Sequence, residues 1–313
     1  MKRNRAPVRW TGHSLCGVET DAAVLNMSLS PGRAQRRPLE LPAPFLHRLR
    51  VRLCYGWRHR RLLHLAHPVT FTERVQHRKL FNHDPRFARL TDKIAAKAYA
   101  ADRLGSDWVI PTLWQGNALP PEPVWPTPFV LKARHGCNQS AFCRDAQVDW
   151  QQLRAASVRW MAKSYGCWLD EWAYRDVPRG LLVEPFIGSD GALPVDYKIY
   201  VFGGHAGYVQ VHLDRETAHR WLLFDRDLAP VSNDPRGDHP VFPASIGAMI
   251  AAAETLAADF DFLRCDFYDT DAGPRFGEFA VYPGSGLDPF DPVELDWAIG
   301  AKWGEVLGER PII

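Results

Sequence analysis

Apolar and polar positions follow two rhythms along this chain, one helical and one of period two, and the first 44 residues follow neither. Arg, Pro, Gly and Ser dominate that stretch, which is expected to be poorly ordered. Met27 lies inside it, so Met1 and Met27 are both candidate starts. Beyond His67-Pro68 the spacing predicts helices over 70–81 and 86–104. The second shows Leu90, Ile94, Ala98 and Ala101 on one face and ends at Gly105. Residues 109–111 read as extended and lead into a Pro-rich loop. Strands are predicted at 128–133 and 141–144 around the loop HGCNQS, then a helix at 150–163 and an apolar strand at 181–187. Residues 195–202 and 206–213 form a hairpin through Gly203-Gly204, followed by a strand at 220–224. An Ala-rich helix at 245–259, strands at 262–268 and 275–281, and a helix at 292–307 complete the pattern. Several antiparallel hairpins mixed with helices, without an internal repeat, predict an α+β fold rather than a doubly wound parallel sheet.

Composition changes this picture mainly at the head of the chain. The 313 residues, 46% hydrophobic and 24% charged, suit a folded protein of two domains or interlocking subdomains. The net charge of +2 hides a split. Residues 1–65 carry thirteen Lys and Arg against three Asp and Glu, or +10; the remainder carries 25 against 33, or −8. The segment FLHRLRVRLCYGWRHRRLLHL (45–65) holds six Arg and admits three readings. It is a surface helix whose Arg stems cover apolar neighbours, a basic amphipathic segment on anionic lipid, or a nucleic-acid contact. The last needs a basic surface elsewhere, which the acidic body lacks, so no nucleic-acid partner is expected. Six Cys without a Cys-x-x-Cys pair argue against zinc ribbons and disulfide scaffolds, and point to reduced thiols. No stretch approaches the ~18–20 uninterrupted apolar residues of a membrane helix. No apolar run follows the N-terminal charges as in a signal peptide. The expectation is a soluble cytoplasmic protein, peripheral at the inner membrane face if the lipid reading of 45–65 holds.

The candidate chemistry lies on the strands. Alternation puts Phe262, Arg264, Asp266 and Tyr268 on one face, and Phe276, Glu278 and Ala280 on one face of the next strand. If the two strands pair, Asp266 and Glu278 become neighbours. Side-by-side carboxylates repel unless a cation sits between them, and Mg²⁺ takes such a pair together with phosphate oxygens. Alternatively both face solvent, or Arg264 neutralises them. Lys132, before the small-residue loop 135–140, suits a phosphate; it equally suits the edge of a hairpin. Asp196, Lys198 and Tyr200 share a strand face, where such pairs are mostly surface ion pairs. Asp92, Lys93 and Lys97 open an Ala-rich helix, most simply as a solvated face. No zinc-binding His spacing and no Gly-x-Ser-x-Gly motif occurs, and Cys137 carries no signature of a reactive thiol.

Taken in order, these pieces resemble one family. A DKxxxK helix bearing Lys97, an IP turn, FVLK, LLVEPFI, VDYK, an RxD strand and a GE strand resemble the ATP-grasp enzymes. TFTERVQHRKLFNHDPRF, DEWAYRDVPRGLLVEPFI, LPVDYKIYVFGG and RFGEFAVYPGSG resemble its TupA-like branch, associated with teichuronopeptide and cell-surface polysaccharide biosynthesis. The likeness covers roughly 68–303. It implies an ATP-grasp fold, with nucleotide between two α+β subdomains after a basic N-terminal extension. The expected division is 1–65 as partly disordered extension, 66–120 as a helical linker region, 121–187 as the lid subdomain and 188–313 as the metal and catalytic subdomain.

By the same resemblance, Lys97 and Lys132 reach ATP phosphates, and His135, Gly136, Asn138 and Ser140 belong to the lid loop, whose shortage of glycine implies either a stiffer lid or one relying on Asn138 and Gln139 side-chain donors. Glu184 sits at the hinge, with Phe186 and Ile187 about the adenine. Asp196 and Lys198 match the Asp-x-Lys strand, Lys198 being near the transferred phosphoryl group. Arg264 stabilises a tetrahedral intermediate, and Asp266 and Glu278 hold Mg²⁺. The activity implied is an ATP-dependent carboxylate–amine ligase acting on a small-molecule or lipid-linked saccharide or amino-acid substrate. One departure is Ala280, where many ATP-grasp enzymes place an Asn ligand: either a second metal is weakly held, or another oxygen, Ser285 or Tyr282, compensates. Two alternatives remain. A glycosyltransferase would use Asp269-Thr270-Asp271, although a turn is where Asp is expected anyway. A non-catalytic nucleotide-binding protein would fit Ala280 and the glycine-poor loop.

Overall fold

The computed structural model describes residues 43–309 except 146, 190 and 235. The expectation for residues 1–42 therefore lies outside the described residues. The α+β class and its antiparallel character are as the patterning predicts. A four-stranded sheet has the order β1-β4-β2-β3 and a five-stranded sheet the order β7-β6-β5-β8-β9. The first contains β1 (Trp114–Gly116), β2 (Phe129–Ala133), β3 (Ser140–Cys143) and β4 (Leu181–Pro185). The second contains β5 (Asp196–Phe202), β6 (His205–Leu213), β7 (Arg220–Asp225), β8 (Phe262–Tyr268) and β9 (Arg275–Ala280). All pairings within both sheets are antiparallel.

Seven helices surround them among the described residues: α1 (Ala43–His59), α2 (Phe71–Phe81), α3 (Arg86–Thr91), α4 (Lys93–Leu104), α5 (Trp150–Ala162), α6 (Ile246–Ala257) and α7 (Glu294–Val306). None is long and apolar enough to cross a membrane. Thr70 starts α2 with a reciprocal capping box to Glu73, satisfying two orphan donors. The larger core joins the five-stranded sheet to α2, α4, α6 and α7, through residues such as Phe71, Ile199, Val201, Leu256, Phe262 and Trp303. A smaller core joins the four-stranded sheet to α5 through Trp125, Leu131, Leu153 and Val183.

Two expectations are corrected here. The helix predicted over 86–104 breaks at Asp92, whose side chain accepts from the Ile94 and Ala95 amides and caps α4. The break changes the helical phase, so Ala96 and Ala100 are the buried positions of α4 while Ala98 is exposed. The period-two reading of β9 fails at its start. The register slips so that Asp266 opposes Glu278 but Phe267 opposes Phe276, leaving Gly277 as an extra residue. Phe276 therefore packs in the core against Phe267 and Phe279 and does not share the face of Glu278. A Cβ at Gly277 would lie 2.8 Å from the Tyr268 ring, so the bulge needs glycine.

Candidate functional site

A cleft of about 990 Å³, including its open mouth, lies where the two sheets face each other. One wall is the four-stranded sheet. Lys132 on β2 and Lys97 on α4 both donate to Glu184 on β4, at 2.6 and 2.7 Å from its two carboxylate oxygens. Lys97 also donates to the Thr112 hydroxyl at 2.7 Å. Burial pushes the Glu184 carboxyl up, but Lys132 and Lys97 together hold it below the ordinary range. Burial lowers Lys97 below an ordinary lysine even with Glu184 beside it. Both groups are thus charged partners drawn into a half-dry wall.

The loop between β2 and β3 bends tightly over this wall. The Ala133 amide donates to the Gln139 carbonyl, and Asn138 adopts a left-handed conformation, φ 58°, which Asn tolerates. Arg134 donates twice to Asp92, so the cap of α4 also anchors the start of the loop. Gly136, Asn138, Gln139 and Ser140 line the cleft, with Phe186 and Ile187 beyond the end of β4.

The opposite wall is the cleft face of the five-stranded sheet. On β5, Tyr197, Ile199 and Val201 alternate with Asp196, Lys198 and Tyr200, and both sets are buried. Lys198 bridges Asp196 at 2.7 Å and Asp266 at 2.5 Å. Arg264 donates to both oxygens of Asp266 at 2.8 Å. Arg215, from the loop after β6, approaches Asp196 at 3.6 Å. Glu278 stands opposite Asp266 in register, lines the cleft, and accepts from Lys93 at 2.9 Å. Burial pushes Glu278 up, but Lys93, then Lys198 and Arg264, hold it down at about 2. The same neighbourhood raises Lys93 and Arg264 above their ordinary values despite burial.

The structure thus brings Lys97, Lys132, Gly136, Asn138, Ser140, Glu184, Phe186, Ile187 and Glu278 to one cleft. Asp196, Lys198, Arg264 and Asp266 form a linked floor beneath it rather than its lining, and Asp266 is fully buried. His135 departs from its expected place. It is buried, its Nε2 paired with the Trp160 carbonyl and its Nδ1 accepting from the Gly180 amide, so it fastens the loop to α5 and does not line the cleft. Neither oxygen suggested in place of an Asn at 280 is open: the Ser285 hydroxyl is engaged by Lys79, and Tyr282 is buried. Asp269 of the Asp-Thr-Asp sequence sits in the β8–β9 turn and accepts from Ser245, away from the cleft lining.

Sequence reasoning missed Lys93 and Tyr268 as cleft residues. Lys93 looked like a solvated helix start because its partner is 185 positions away. The Asp-Lys-Ile-Ala-Ala spelling was a usable cap signal for the break at 92.

Two paired carboxylates give the hard oxygen donors that Mg²⁺ takes, so the residues fit that ion by chemistry. Two buried oxygens near the cleft, Asp196 Oδ1 and Gln139 Oε1, also have no partner within the protein. Occupation at Asp266 requires Lys198 or Arg264 to yield an oxygen. No group of three or more His, Cys, Asp or Glu with metal-holding geometry occurs among the described residues.

A profile of the TupA-like ATP-grasp family matches residues 73–303. No curated protein matches the chain significantly. Similar solved structures include the ATP-grasp ligase PsnB complexed with minimal precursor, at 12% identity over 71% of this chain and 62% of that one, with TM-score 0.42. D-alanine-D-alanine ligase from Helicobacter pylori is 15% identical over 71% of this chain and 60% of that one, with TM-score 0.41. D-alanine-D-alanine ligase from Bacillus anthracis complexed with ATP is 13% identical over 70% and 64%, with TM-score 0.43. The chain spans about three fifths of the length of these structures. With the family profile matched over most of its length, the chain belongs to the TupA-like ATP-grasp family.

Proposed function

We propose that this chain is an ATP-dependent carboxylate–amine ligase using Mg²⁺. The observation that carries the reading is the convergence of Lys97, Lys132, Lys93 and Glu278 on one cleft, above a floor of Lys198, Arg264, Asp196 and Asp266. A carboxylate is a poor electrophile. ATP makes it a good one by transferring its γ-phosphoryl group to a carboxylate oxygen, with ADP leaving. An amine then attacks the acyl carbon, a C–N bond forms, the C–O bond to phosphate breaks, and the amine releases a proton. Mg²⁺ would be held by Asp266 and Glu278 and would neutralise phosphate charge.

The chain's own groups supply the rest. Lys97 and Lys132 hold the phosphates, Glu184 fixes both lysines, and Phe186 and Ile187 face the adenine. Lys198, freed from Asp266, is near the transferred phosphoryl group. Arg264 stabilises the oxyanion of the tetrahedral intermediate by preorganised charge. No covalent nucleophile is required, because phosphoryl transfer is served by positioning and electrostatics. The acceptor is a sugar acid or amino acid of a surface polymer, free or lipid-linked, and Arg215 is the cleft residue placed to meet its carboxylate.

Phosphate release by the purified protein, screened with Mg·ATP against pairs of amino acids and sugar acids, tests the reading. Phosphate release that needs both a carboxylate and an amine supports it. Thermal stabilisation by UDP-sugars but not by Mg·ATP would overturn it.

A further inference from the structure

The outer face of α1 is apolar, exposed and bordered by arginine. The helix contains no acidic residue between 43 and 59. Its inner face is docked: Val51 and Tyr55 are buried with Leu63 and Leu65, and Arg58 donates to the Leu287 carbonyl at 2.9 Å. On the outer face Leu46, Leu49, Leu53 and Trp57 recur at three- or four-residue spacing, the last two 64% and 74% exposed. Arg48 and Arg52 are exposed beside this ridge. Trp168, 68% exposed, lies under the Arg50 guanidinium at 5.4 Å and adds a second aromatic next to the helix. A folded helix that keeps this much apolar surface in water marks a contact surface.

We propose that α1 docks on an anionic lipid surface, lying in the headgroup plane with its leucine–tryptophan ridge inserted and its arginines on lipid phosphates. Three covers compete, and charge separates them. Residues 1–42 carry seven Lys and Arg against three Asp and Glu, so laying them on α1 sets positive charge on positive charge. A second copy packed face to face on α1 sets Arg48 and Arg52 against their own counterparts. Anionic lipid alone complements both the ridge and the arginines.

The inner face is fixed to the body of the protein: Arg58 and His59 hold the Leu287 and Gly286 carbonyls, so the ridge and the outer arginines are left free to meet the surface. The docking does not rest on the ligase reading.

The test is sedimentation of the full chain with phosphatidylcholine vesicles, with and without phosphatidylglycerol. Wild type is expected to sediment with the anionic vesicles only, and less so at high salt. Leu53→Glu with Trp57→Glu, and separately Arg48→Glu with Arg52→Glu, are each expected to weaken binding at least about tenfold with melting temperature unchanged. Absence of binding to anionic vesicles overturns the proposal. So does undiminished binding by both variants, which would place the contact elsewhere. A lipid-free dimer abolished by Leu53→Glu would assign the face to a second copy and overturn it as well. Mg·ATP stabilisation, measured in the same variants without lipid, reports separately on the ligase reading.

Discussion

Glu184 offers the sharpest single perturbation. Its carboxylate is 5% exposed and receives Lys132 and Lys97 at 2.6 and 2.7 Å; their side chains are 21% and 11% exposed. Glu184→Gln keeps the shape but leaves two ammonium groups beside a neutral amide. Removing one partner from a buried ion pair costs about 3–5 kcal/mol. Partial exposure of the lysines at the cleft edge, and the ability of Lys97 to shed its proton, place the expected loss near the lower bound, about 3 kcal/mol. At roughly 2–4 °C per kcal/mol for a chain of this size, the melting temperature should fall by roughly 6–12 °C.

The pH dependence follows from the sign of the shift. Glu184 is held below its ordinary value in the fold, so its contribution is complete above about pH 4.5 and is lost as pH falls through the depressed value. Urea denaturation of wild type and variant side by side should therefore show a gap that is widest near neutrality and narrows below about pH 4. A gap under about 1 kcal/mol at neutral pH, or one that does not narrow in acid, would refute the pairing argument.

Other outcomes follow from the same geometry. Lys132→Ala and Glu278→Gln should abolish stabilisation by Mg·ATP, roughly 2.7 kcal/mol at a hundredfold excess over Kd, while both apo proteins still unfold cooperatively; differential scanning fluorimetry reads this. Asp92→Ala removes the cap of α4 and the partner of Arg134, and should cost about 2 kcal/mol by denaturation and weaken ATP binding through Lys93 and Lys97. His212 is kept well below its ordinary value, first by burial and then by Lys198, Arg264 and His219, so the unfolded chain binds its proton first and stability falls as pH drops below about 6.5. His212→Gln should flatten that decline in melting curves taken between about pH 7.5 and 5.5, one unit either side of the ordinary value. Gly300→Ala would put a Cβ 2.2 Å from the Val69 carbonyl where α7 meets the start of α2, and should cost about 3 kcal/mol, read by chemical denaturation.

What the sequence disclosed depended on the range of the interaction. Hairpins were legible because alternation and turn residues are local: β8 and β9 pair, and Asp266 does oppose Glu278. The bulge at Gly277 was not legible, since one inserted residue leaves composition unchanged and appears only when Phe276 enters the core. The β1 strand, three residues long, is defined by its partner β4 rather than by its own pattern. His135 and Lys93 exchanged expected roles for one reason. A histidine in a phosphate-like loop looks functional, and a lysine at a helix start looks solvated, until the loop is seen pinned through Arg134 to Asp92, which aims Lys93 across the cleft at Glu278.

The charge pattern explains how such a site survives without its ligand. Each carboxylate already has a cation from the chain: Glu184 has Lys97 and Lys132, Asp266 has Lys198 and Arg264, and Glu278 has Lys93. An isolated buried carboxylate would cost several kcal/mol and shift its pKa until neutral, and the pairing avoids that. On the ligase reading proposed above, a polyphosphate would enter by exchange, with Asp266 and Glu278 giving carboxylate oxygens to its metal while the released lysines turn to phosphate oxygens. Such an exchange would nearly conserve the number of ion contacts, and a small reorganisation is the condition under which fixed charges stabilise a transition state effectively. Ala280 fits this scheme. Where a further oxygen ligand is missing, Arg264, opposite Ala280 in the ladder, supplies positive charge from the chain itself.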